Sequence, residues 1–320
     1  MTLEIVALRD PSVGSSAQLL PGFGFNCFRF TAVADGGEID VLWAEDGFET
    51  GARRPSGSGI PILFPFPGRI GGTTLDYQGR SYQLEAGDGR GNAIHGFVLN
   101  RPWRVVEQSD QHVVGQFQAS VDDPSLRDSW PADFRITLAY RLAGNTLSLD
   151  ARLENPGETP LPMGFGVHPY FRVPLGPAGA ANRGAADRCR VRVAAAEYWE
   201  LADMLATGRR LPAADRGPLE GGMDFADTKF DDVFTALGFD GDWSTSTIDD
   251  PQSGRTVRVS FDRAFRECVV YNPPHREAIC IEPYTCVPGA IELAARGIDA
   301  GLRTMMPGES LNARVRIAVV

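Results

Sequence analysis

The sequence predicts an all-β protein, built as one large antiparallel β-sandwich. Apolar and polar residues alternate with a period of two in much of the 320-residue chain, as expected where each strand buries one face. Connections rich in glycine and proline separate these segments, whereas helical patterns are short and few. Many strands with such connections are typical of a sandwich or barrel rather than of an α/β fold.

Strand candidates are spread along the whole chain. In chain order they are residues 25–33, 39–44, 103–106, 113–121, 134–142, 147–153, 257–261 and 315–319. The pair 134–142 and 147–153 predicts a long hairpin, because both segments alternate around the turn at 143–145. Only residues 197–206 and 291–295 are candidates for short helices. No fixed-period repeat or low-complexity linker interrupts the chain, which predicts one domain over residues 1–320.

Composition and charge narrow the class of protein. Hydrophobic residues make up 43% and charged residues 22%, which is typical of a globular protein. The formal net charge of −10 disfavours nucleic acid or an anionic membrane as the main partner, because both bind to a concentrated basic face. No stretch approaches the length of a membrane span.

The cysteines and the N-terminal residues indicate the cellular compartment in which the protein is expected. The five cysteines are odd in number and lack metal-ligand spacing, so we interpret them as small buried hydrophobes in a reducing environment. The first residues include an early acid, Glu4, and no apolar run long enough for a signal peptide. We therefore expect a cytoplasmic protein.

Four segments place a titratable or charged side chain among apolar neighbours. Arg69 follows an apolar, proline-stiffened run, and His95 and His168 lie in apolar segments that contain glycine. Glu282 directly follows the apolar and thiol side chains of 279–281. Singly, each has a structural explanation, such as a hydrogen-bonded core histidine or an ion pair at a strand end. Together, two imidazoles, a guanidinium and a carboxylate on stiff segments indicate an acid–base site.

Other chemistries fit the sequence less well. A cupin-like metal site could use His95, His168 and a carboxylate, but the His-x-His pair usual in such sites does not occur. No Gly-x-Ser-x-Gly motif is present, and Cys286 has no evident activating partner. The glycine-rich segment 87–91 lacks the strand and helix that flank a phosphate loop. We therefore expect neither a metal nor another cofactor.

Taken in order, these segments resemble the aldose 1-epimerase (galactose mutarotase) family from about Pro61 to Pro307. The motifs are Gly68-Arg69-Ile70, His95-Gly96 with Trp103, His168-Pro169-Tyr170-Phe171, Thr207-Gly208 with Asp224-Phe225, Phe230-Asp231-Asp232-Val233-Phe234, Glu282-Pro283 and Pro307-Gly308-Glu309. No one of them is specific, but seven in order at family-like spacing are hard to obtain by accident.

The resemblance implies the family's β-supersandwich and an isomerase that opens and recloses the ring of a hexose without a cofactor. It implies that Glu282 takes the proton of the anomeric hydroxyl as general base. It also implies that His168 protonates the ring oxygen as general acid, and that His95 and Arg69 bind ring or hydroxyl oxygens. Acid–base catalysis of this kind contributes roughly 10²- to 10⁴-fold.

The same resemblance implies that an aspartate binds a sugar hydroxyl. Asp231 is our choice, but its neighbour Asp232 is the alternative, because strand parity allows only one of them to face the site. The expected partner is a small-molecule sugar, and the expected assembly is a monomer or a homodimer.

Departures from the family pattern concern the substrate more than the reaction. Phe97 stands where the best-known galactose mutarotases have another glycine, and 284–286 replaces their glutamine-containing loop. The His-Gly-Phe form is similar to hexose-6-phosphate 1-epimerases. In that case Arg53, Arg54 or Arg172 would hold the phosphate, although the chain is acidic and no arginine cluster is evident in the motif segments.

Two further hypotheses come from other classes. One is a non-catalytic carbohydrate-binding protein on the same fold. The presence of both Glu282 and His168 argues against it, because binding alone does not need a matched acid and base. The other is the metal-dependent, cupin-like enzyme, which is the weakest of the four.

Overall fold

The computed structural model describes residues 3–34, 37–176, 186–217, 221–226 and 228–320. About 50% of the chain is strand and 8% is helix, so the predicted all-β class is confirmed. The strands are, in chain order, β1 (Val6–Asp10), β2 (Ser15–Leu20), β3 (Asn26–Ala34), β4 (Gly37–Asp40), β5 (Ile62–Leu63), β6 (Arg69–Ile70), β7 (Thr74–Tyr77), β8 (Arg80–Gln83), β9 (Ala93–Ile94), β10 (Arg104–Gln108), β11 (His112–Gln118), β12 (Arg135–Ala143), β13 (Thr146–Glu154), β14 (Leu161–Met163), β15 (Gly166–Val167), β16 (Tyr170–Arg172), β17 (Arg190–Arg192), β18 (Ala195–Ala202), β19 (Leu205–Pro212), β20 (Met223–Asp224), β21 (Asp231–Leu237), β22 (Trp243–Asp250), β23 (Arg255–Asp262), β24 (Glu267–Tyr271), β25 (Ala278–Tyr284), β26 (Arg303–Met305) and β27 (Ser310–Val319). The described helices are α1 (Ala119–Asp122), α2 (Ala290–Ala295) and 3₁₀ turns at Phe48–Thr50, Pro124–Asp128 and Ala213–Arg216.

The largest sheet has nine antiparallel strands in the order β10-β11-β12-β13-β27-β23-β22-β17-β20. The predicted hairpin lies within it, and Tyr140 of β12 pairs there with Leu149 of β13. Alternate residues of both strands are buried, as the period-two pattern predicts. The predicted strands at 257–261 and 315–319 belong to the same sheet, where β27 lies between β13 and β23.

The second large sheet has eight strands, in the order β19-β18-β21-β24-β25-β15-β5, with β16 also paired to β25. Successive side chains on a strand point to opposite faces, so the central strands β21, β24 and β25 present two sets of residues. Phe234, Val270 and Ile281 belong to the same hydrophobic core as the buried face of the nine-stranded sheet. Val233 and Val269 belong to a different cluster. The other face of the eight-stranded sheet therefore remains available for a site.

Smaller sheets complete the architecture. Strands β1 to β4 form a four-stranded sheet in chain order, and β7 pairs with β8 and β14 with β26. The short pair β6–β9 sets Arg69 opposite Ile94, directly before His95.

The predicted helix at 197–206 is wrong. This segment forms most of a β-hairpin, in which β18 and β19 pair and Leu201 lies opposite Ala206. The turn consists of Asp203 and Met204, which have positive φ angles of 49° and 68°. Two such residues in a row are typical of a type I′ hairpin turn, but the usual Asn-Gly or Asp-Gly pair is missing, so the sequence pattern does not reveal it.

Two strand predictions are too long. The segment 113–121 ends as a strand at Gln118, because Asp133 accepts a hydrogen bond from the Ser120 amide at 2.9 Å and the chain turns into α1. In the segment 39–44, β4 ends at Asp40. Beyond it the chain changes partner, and Leu42 bridges to Phe171 of β16. The predicted helix at 291–295 is confirmed as α2.

The interpretation of the cysteines as buried thiols is confirmed. All five are unpaired and buried. Among the residues that the structure describes, we find no helix of sufficient length and apolarity to span a membrane.

Candidate active site

A cavity of about 300 Å³ opens on the face of the eight-stranded sheet that points away from the main core. The five residues singled out from the sequence, Arg69, His95, His168, Asp231 and Glu282, all line it. A cavity of this size lies at the lower end of the range for small-molecule sites.

Strand register explains how the sheet presents these groups. Glu282 on β25 lies opposite Val269 on β24, and Val269 lies opposite Val233 on β21. Asp231 precedes Val233 by two residues and therefore shares its face. Tyr271, two residues after Val269, completes this part of the wall.

His168 and Glu282 form the innermost pair of the site. The His168 Nε2 atom lies 3.3 Å from Glu282 Oε1, and the exposed fractions of the two residues are 6% and 1%. His168 lies between β15 and β16, where its ring stacks on that of Tyr170 with centroids 4.7 Å apart. Its Nδ1 atom is buried without a hydrogen-bond partner in the described structure.

Burial shifts the pKa values of this pair in opposite directions. Desolvation lowers the pKa of His168 to about 3, and the charge of Arg54 adds to this effect. Desolvation likewise raises the pKa of Glu282 well above its ordinary value, while the Tyr284 hydroxyl opposes that rise. Both groups therefore favour their neutral forms, and the pair holds one proton between them.

Tyr284 holds the Glu282 carboxyl group from the second side. Its hydroxyl donates a hydrogen bond to Glu282 Oε2 at 2.6 Å. The two residues are two positions apart on β25 and so share a face. The carboxyl group is thus held by Tyr284 through one oxygen and lies beside His168 with the other, which fixes its orientation.

His95 reaches the cavity from a strained backbone position. It follows β9 with a φ of 67°, which is uncommon for a residue with a side chain. Its amide donates to the Gly68 carbonyl at 2.8 Å, and its Nδ1 atom accepts from the Gly68 amide at 3.3 Å. Burial, then repulsion from the protonated form of His168 and from Arg69 and Arg54, lowers the pKa of His95 well below its usual value, so the ring is neutral. With Nδ1 as acceptor, the proton lies on Nε2, which can donate to a ligand oxygen.

Gly96 permits the close approach that places His95. Its φ is 71°, and a Cβ atom there would lie 2.2 Å from the carbonyl oxygen of Phe64. Phe64 and Gly96 form a parallel bridge in this structure. Only glycine fits this contact without displacement of the backbone.

Arg69 is fixed by an acid that the sequence did not indicate. Its Nε atom donates to Asp88 Oδ2 at 3.0 Å, and the Asp88 side chain is fully buried. Desolvation favours the neutral form of Asp88, but hydrogen bonds from Asn92, the Arg90 amide and Arg69 outweigh it and lower its pKa. The glycine-rich segment 87–91 thus serves to anchor Arg69.

The structure separates the two aspartates. Asp231 lines the cavity, whereas Asp232 points away from it and pairs with Arg216 at 2.7 Å. The position of Asp231 removes part of its hydration and raises its pKa, although Arg69 opposes the rise.

Two further arginines line the cavity and were not predicted as a pair. Arg54 and Arg90 are exposed at its edge, and in the described part of the chain neither has a carboxylate partner. They come from segments 36 residues apart, so only the fold brings them to one cavity. Arg53 and Arg172, the other phosphate candidates, do not line it, and Arg53 pairs with Glu45.

The metal-binding capacity of the site differs from the two-histidine arrangement considered from the sequence. In the described residues, the group able to hold a metal is His168, Cys280 and Glu282, with one ligand atom of each within 4.8 Å of the others. His95 is not a member, although its ring centroid lies 5.6 Å from that of His168.

Known proteins are similar to this chain in sequence. The profile of the family described as Aldose 1-epimerase matches residues 31–318. The curated protein YphB of Escherichia coli strain K12, described as uncharacterized, is 28% identical over 172 residues, which are 51% of this chain and 51% of that protein. The chain therefore spans about half the length of this curated relative.

Solved structures agree on the fold. A galactose mutarotase-like protein from Clostridium acetobutylicum has a TM-score of 0.82 at 22% identity, over 100% of this chain and 99% of that one. A GalM/aldose epimerase homologue from C. elegans has a TM-score of 0.80 at 18% identity, over 99% of each chain. These similarities confirm the predicted mutarotase-like β-sandwich. Because the family profile covers nearly the whole sequence, the chain belongs to the aldose 1-epimerase family.

Proposed function

We propose that the protein is an aldose 1-epimerase that interconverts the α and β anomers of a hexose. The observation that carries the proposal is the buried Glu282–His168 pair, 3.3 Å apart, in a cavity of about 300 Å³. A matched carboxyl and imidazole that hold one proton between them can accept a proton at one sugar oxygen and donate one at another.

In the proposed reaction, the one proton of the pair first moves from the Glu282 carboxyl group to His168. The proton of the anomeric hydroxyl then moves to the Glu282 carboxylate, and the His168 imidazolium gives its proton to the ring oxygen. The bond between the anomeric carbon and the ring oxygen breaks, and the electron pair of the former hydroxyl completes the aldehyde. Rotation about the adjacent carbon–carbon bond exposes the other face, and the pair recloses the ring with its roles reversed. The pair contains one proton before and after each step, so it needs no exchange with solvent.

The remaining cavity residues position the sugar in this proposal. His95 donates a hydrogen bond from Nε2, Arg69 donates from a guanidinium fixed by Asp88, and Asp231 accepts a hydrogen bond from a sugar hydroxyl. Because these groups are held before the sugar arrives, little ordering is left to occur on binding.

The test is polarimetry on freshly dissolved α-D-glucose and α-D-galactose. We expect wild type to accelerate anomer equilibration and Glu282→Gln to lose at least about 100-fold of the rate, because the amide cannot accept the proton. Glu267→Gln is the matched control: Glu267 is also buried, lies on neighbouring β24, and does not line the cavity. If Glu282→Gln stays as active as wild type, the assignment of the base is refuted. If wild type and variant bind sugar equally well but neither is active, the protein is a carbohydrate-binding protein instead.

A second candidate is the same reaction on a hexose 6-phosphate. The observation that favours it is that Arg54 and Arg90 lie at the edge of the cavity with no carboxylate partner among the described residues, since guanidinium groups bind phosphate strongly. The comparison is kcat/KM for glucose 6-phosphate against glucose, in wild type and in Arg54→Gln. A phosphate preference that falls at least tenfold in the variant would support this candidate. Equal values for both sugars would leave the free hexose as substrate.

A further inference from the structure

Three potential metal ligands lie together beneath the cavity, on elements that the fold brings side by side. Cys280 and Glu282 are two positions apart on β25 and share a face. His168 joins them because β16, which begins two residues later at Tyr170, pairs with β25 at Cys280. The exposed fractions are 0% for Cys280, 1% for Glu282 and 6% for His168.

The ligand types select a class of cation. Thiolate, imidazole and carboxylate are the protein ligands of Zn²⁺, whereas Mg²⁺ and Ca²⁺ prefer oxygen alone. Bonds of about 2.0–2.3 Å place neighbouring ligand atoms roughly 3.3–3.8 Å apart in a tetrahedral site. The separation of 3.3 Å between His168 Nε2 and Glu282 Oε1 already falls in this range.

Cys280 Sγ needs only a small movement to reach bonding distance of a cation held by the other two ligands. All three ligand atoms lie within 4.8 Å of one another, so Cys280 Sγ has to approach by at most about 1 Å. A cysteine side chain can achieve this by rotation about a single bond.

A second observation concerns the other nitrogen of the His168 ring. His168 Nδ1 is buried and has no hydrogen-bond partner in the described structure, a condition that is costly and rare for a buried nitrogen. Nε2 faces Glu282 Oε1 at 3.3 Å, so no hydrogen bond through Nδ1 has to break when Nε2 binds a cation. The cavity gives solvent a path to the group and leaves room for a fourth ligand, as in zinc sites with three protein ligands.

We propose that His168, Cys280 and Glu282 bind Zn²⁺ or a similar borderline-soft divalent cation, and that the bound cation inhibits the enzyme. As the bonds to the metal form, the Cys280 thiol and the His168–Glu282 pair each lose one proton to water. The bound cation occupies the carboxylate and an imidazole nitrogen, so neither can exchange a proton with a sugar. Inhibition rests on the proposed function, whereas the metal site itself does not.

Direct binding is the first test. Chelator-treated wild type is titrated with Zn²⁺ by calorimetry, and with Co²⁺ while the thiolate-to-cobalt charge-transfer absorption is followed. We expect one site per chain, a cobalt–sulfur band, and no comparable binding of Mg²⁺. Cys280→Ala should abolish the band and weaken Zn²⁺ binding at least tenfold. Cys268→Ser, which removes a buried thiol on adjacent β24, should retain both properties.

Inhibition is the second test. We expect Zn²⁺ to slow sugar equilibration by wild type, a chelator to restore the rate, and Cys280→Ala to need at least tenfold more Zn²⁺. If Cys280→Ala does not fold, Cys280→Ser provides the same comparison, because a hydroxyl is a poor ligand for Zn²⁺. Equal Zn²⁺ affinity in wild type and variant, or the lack of a cobalt–sulfur band, would overturn the metal site. Binding through sulfur without any loss of rate would overturn the inhibition.

One outcome separates this inference from the proposed function. A wild type that binds Zn²⁺ through sulfur but equilibrates no sugar would support the metal site and refute the epimerase.

Discussion

At the scale of single residues, the site depends on how a carboxyl group is kept in one orientation. Glu282 is 1% exposed, and both of its oxygens have neighbours that limit its rotation: Tyr284 at 2.6 Å and His168 at 3.3 Å. The two contacts differ in kind. In the proposed mechanism the histidine is a partner in proton transfer, whereas the phenol can only orient the carboxylate and stabilise its charge.

Tyr284→Phe tests this distinction. Loss of a hydrogen bond to a charged group should lower kcat by about 10- to 100-fold, with little change in KM. The Tyr284 hydroxyl lowers the pKa of Glu282, so its removal should raise that pKa further. Activity requires one proton in the pair, and at high pH that proton is lost from Glu282. The alkaline limb of the kcat/KM profile should therefore move to higher pH. A loss of thermal stability with an unmoved alkaline limb would show that Tyr284 only packs.

The sequence predicted the residues of the site that lie in recognisable apolar segments. Arg69, His95, His168 and Glu282 each stand out as polar groups among apolar neighbours, and all four line the cavity. Asp88 has no such contrast, because it lies in a glycine-rich loop. Its role depends on hydrogen bonds from residues that meet it only in the folded chain. Arg54, Arg90 and Cys280 likewise come close to the other site residues only in the folded chain, so the sequence pattern does not reveal them.

At the scale of elements, short pieces of backbone place the ligand-facing groups. The pair β6–β9 contains only two residues on each strand, yet it brings Arg69 and His95 to the same wall. Gly96 allows this arrangement, because the chain passes against Phe64 with no room for a side chain.

Gly96→Ala should displace His95 and raise KM for the sugar several-fold. The added Cβ atom would lie 2.2 Å from the Phe64 carbonyl oxygen. Because that oxygen belongs to the backbone, a side-chain movement alone cannot relieve the clash. The control is Gly254→Ala, since Gly254 has a similar φ of 70° but nothing within 4 Å of the added Cβ. It should lose only about 1 kcal/mol of stability, the cost of a side chain in left-handed backbone. Equal losses in both variants, measured by denaturant unfolding and kinetics, would show that the close contact is unimportant.

Hairpins were predictable where alternation and turn residues agreed. Strands β12 and β13 have both features, and their register follows from them. The hairpin β18–β19 has neither a clear alternation of burial nor the usual turn residues, because Asp203 and Met204 adopt positive φ without glycine. Tertiary contacts, such as those that bury Trp199, decide its conformation.

At the scale of the whole molecule, the two faces of the eight-stranded sheet lie in different environments. One face lies in the core shared with the nine-stranded sheet, and the other lines or underlies the cavity. The second face buries acids that a core would not tolerate as charges. Glu267 is 0% exposed and accepts a hydrogen bond from Trp199 Nε1 at 3.0 Å. Desolvation raises the pKa of Glu267 to about 8.

This buried acid makes global stability depend on pH. An acid whose pKa is raised on folding stabilises the folded state fully below its unfolded pKa, and that stability is lost as pH rises through the folded value. For Glu267 the window runs from 4.5, the ordinary value, to about 8. Glu267→Gln removes the titration but keeps an acceptor for Trp199. The free energy of unfolding of the variant, relative to wild type, should therefore rise by about 1.4 kcal/mol per pH unit within this window. Urea unfolding of both proteins at several pH values between 5 and 8 measures this difference. Parallel stability curves for the two proteins would mean that Glu267 is already ionised in the folded state, and would contradict the prediction.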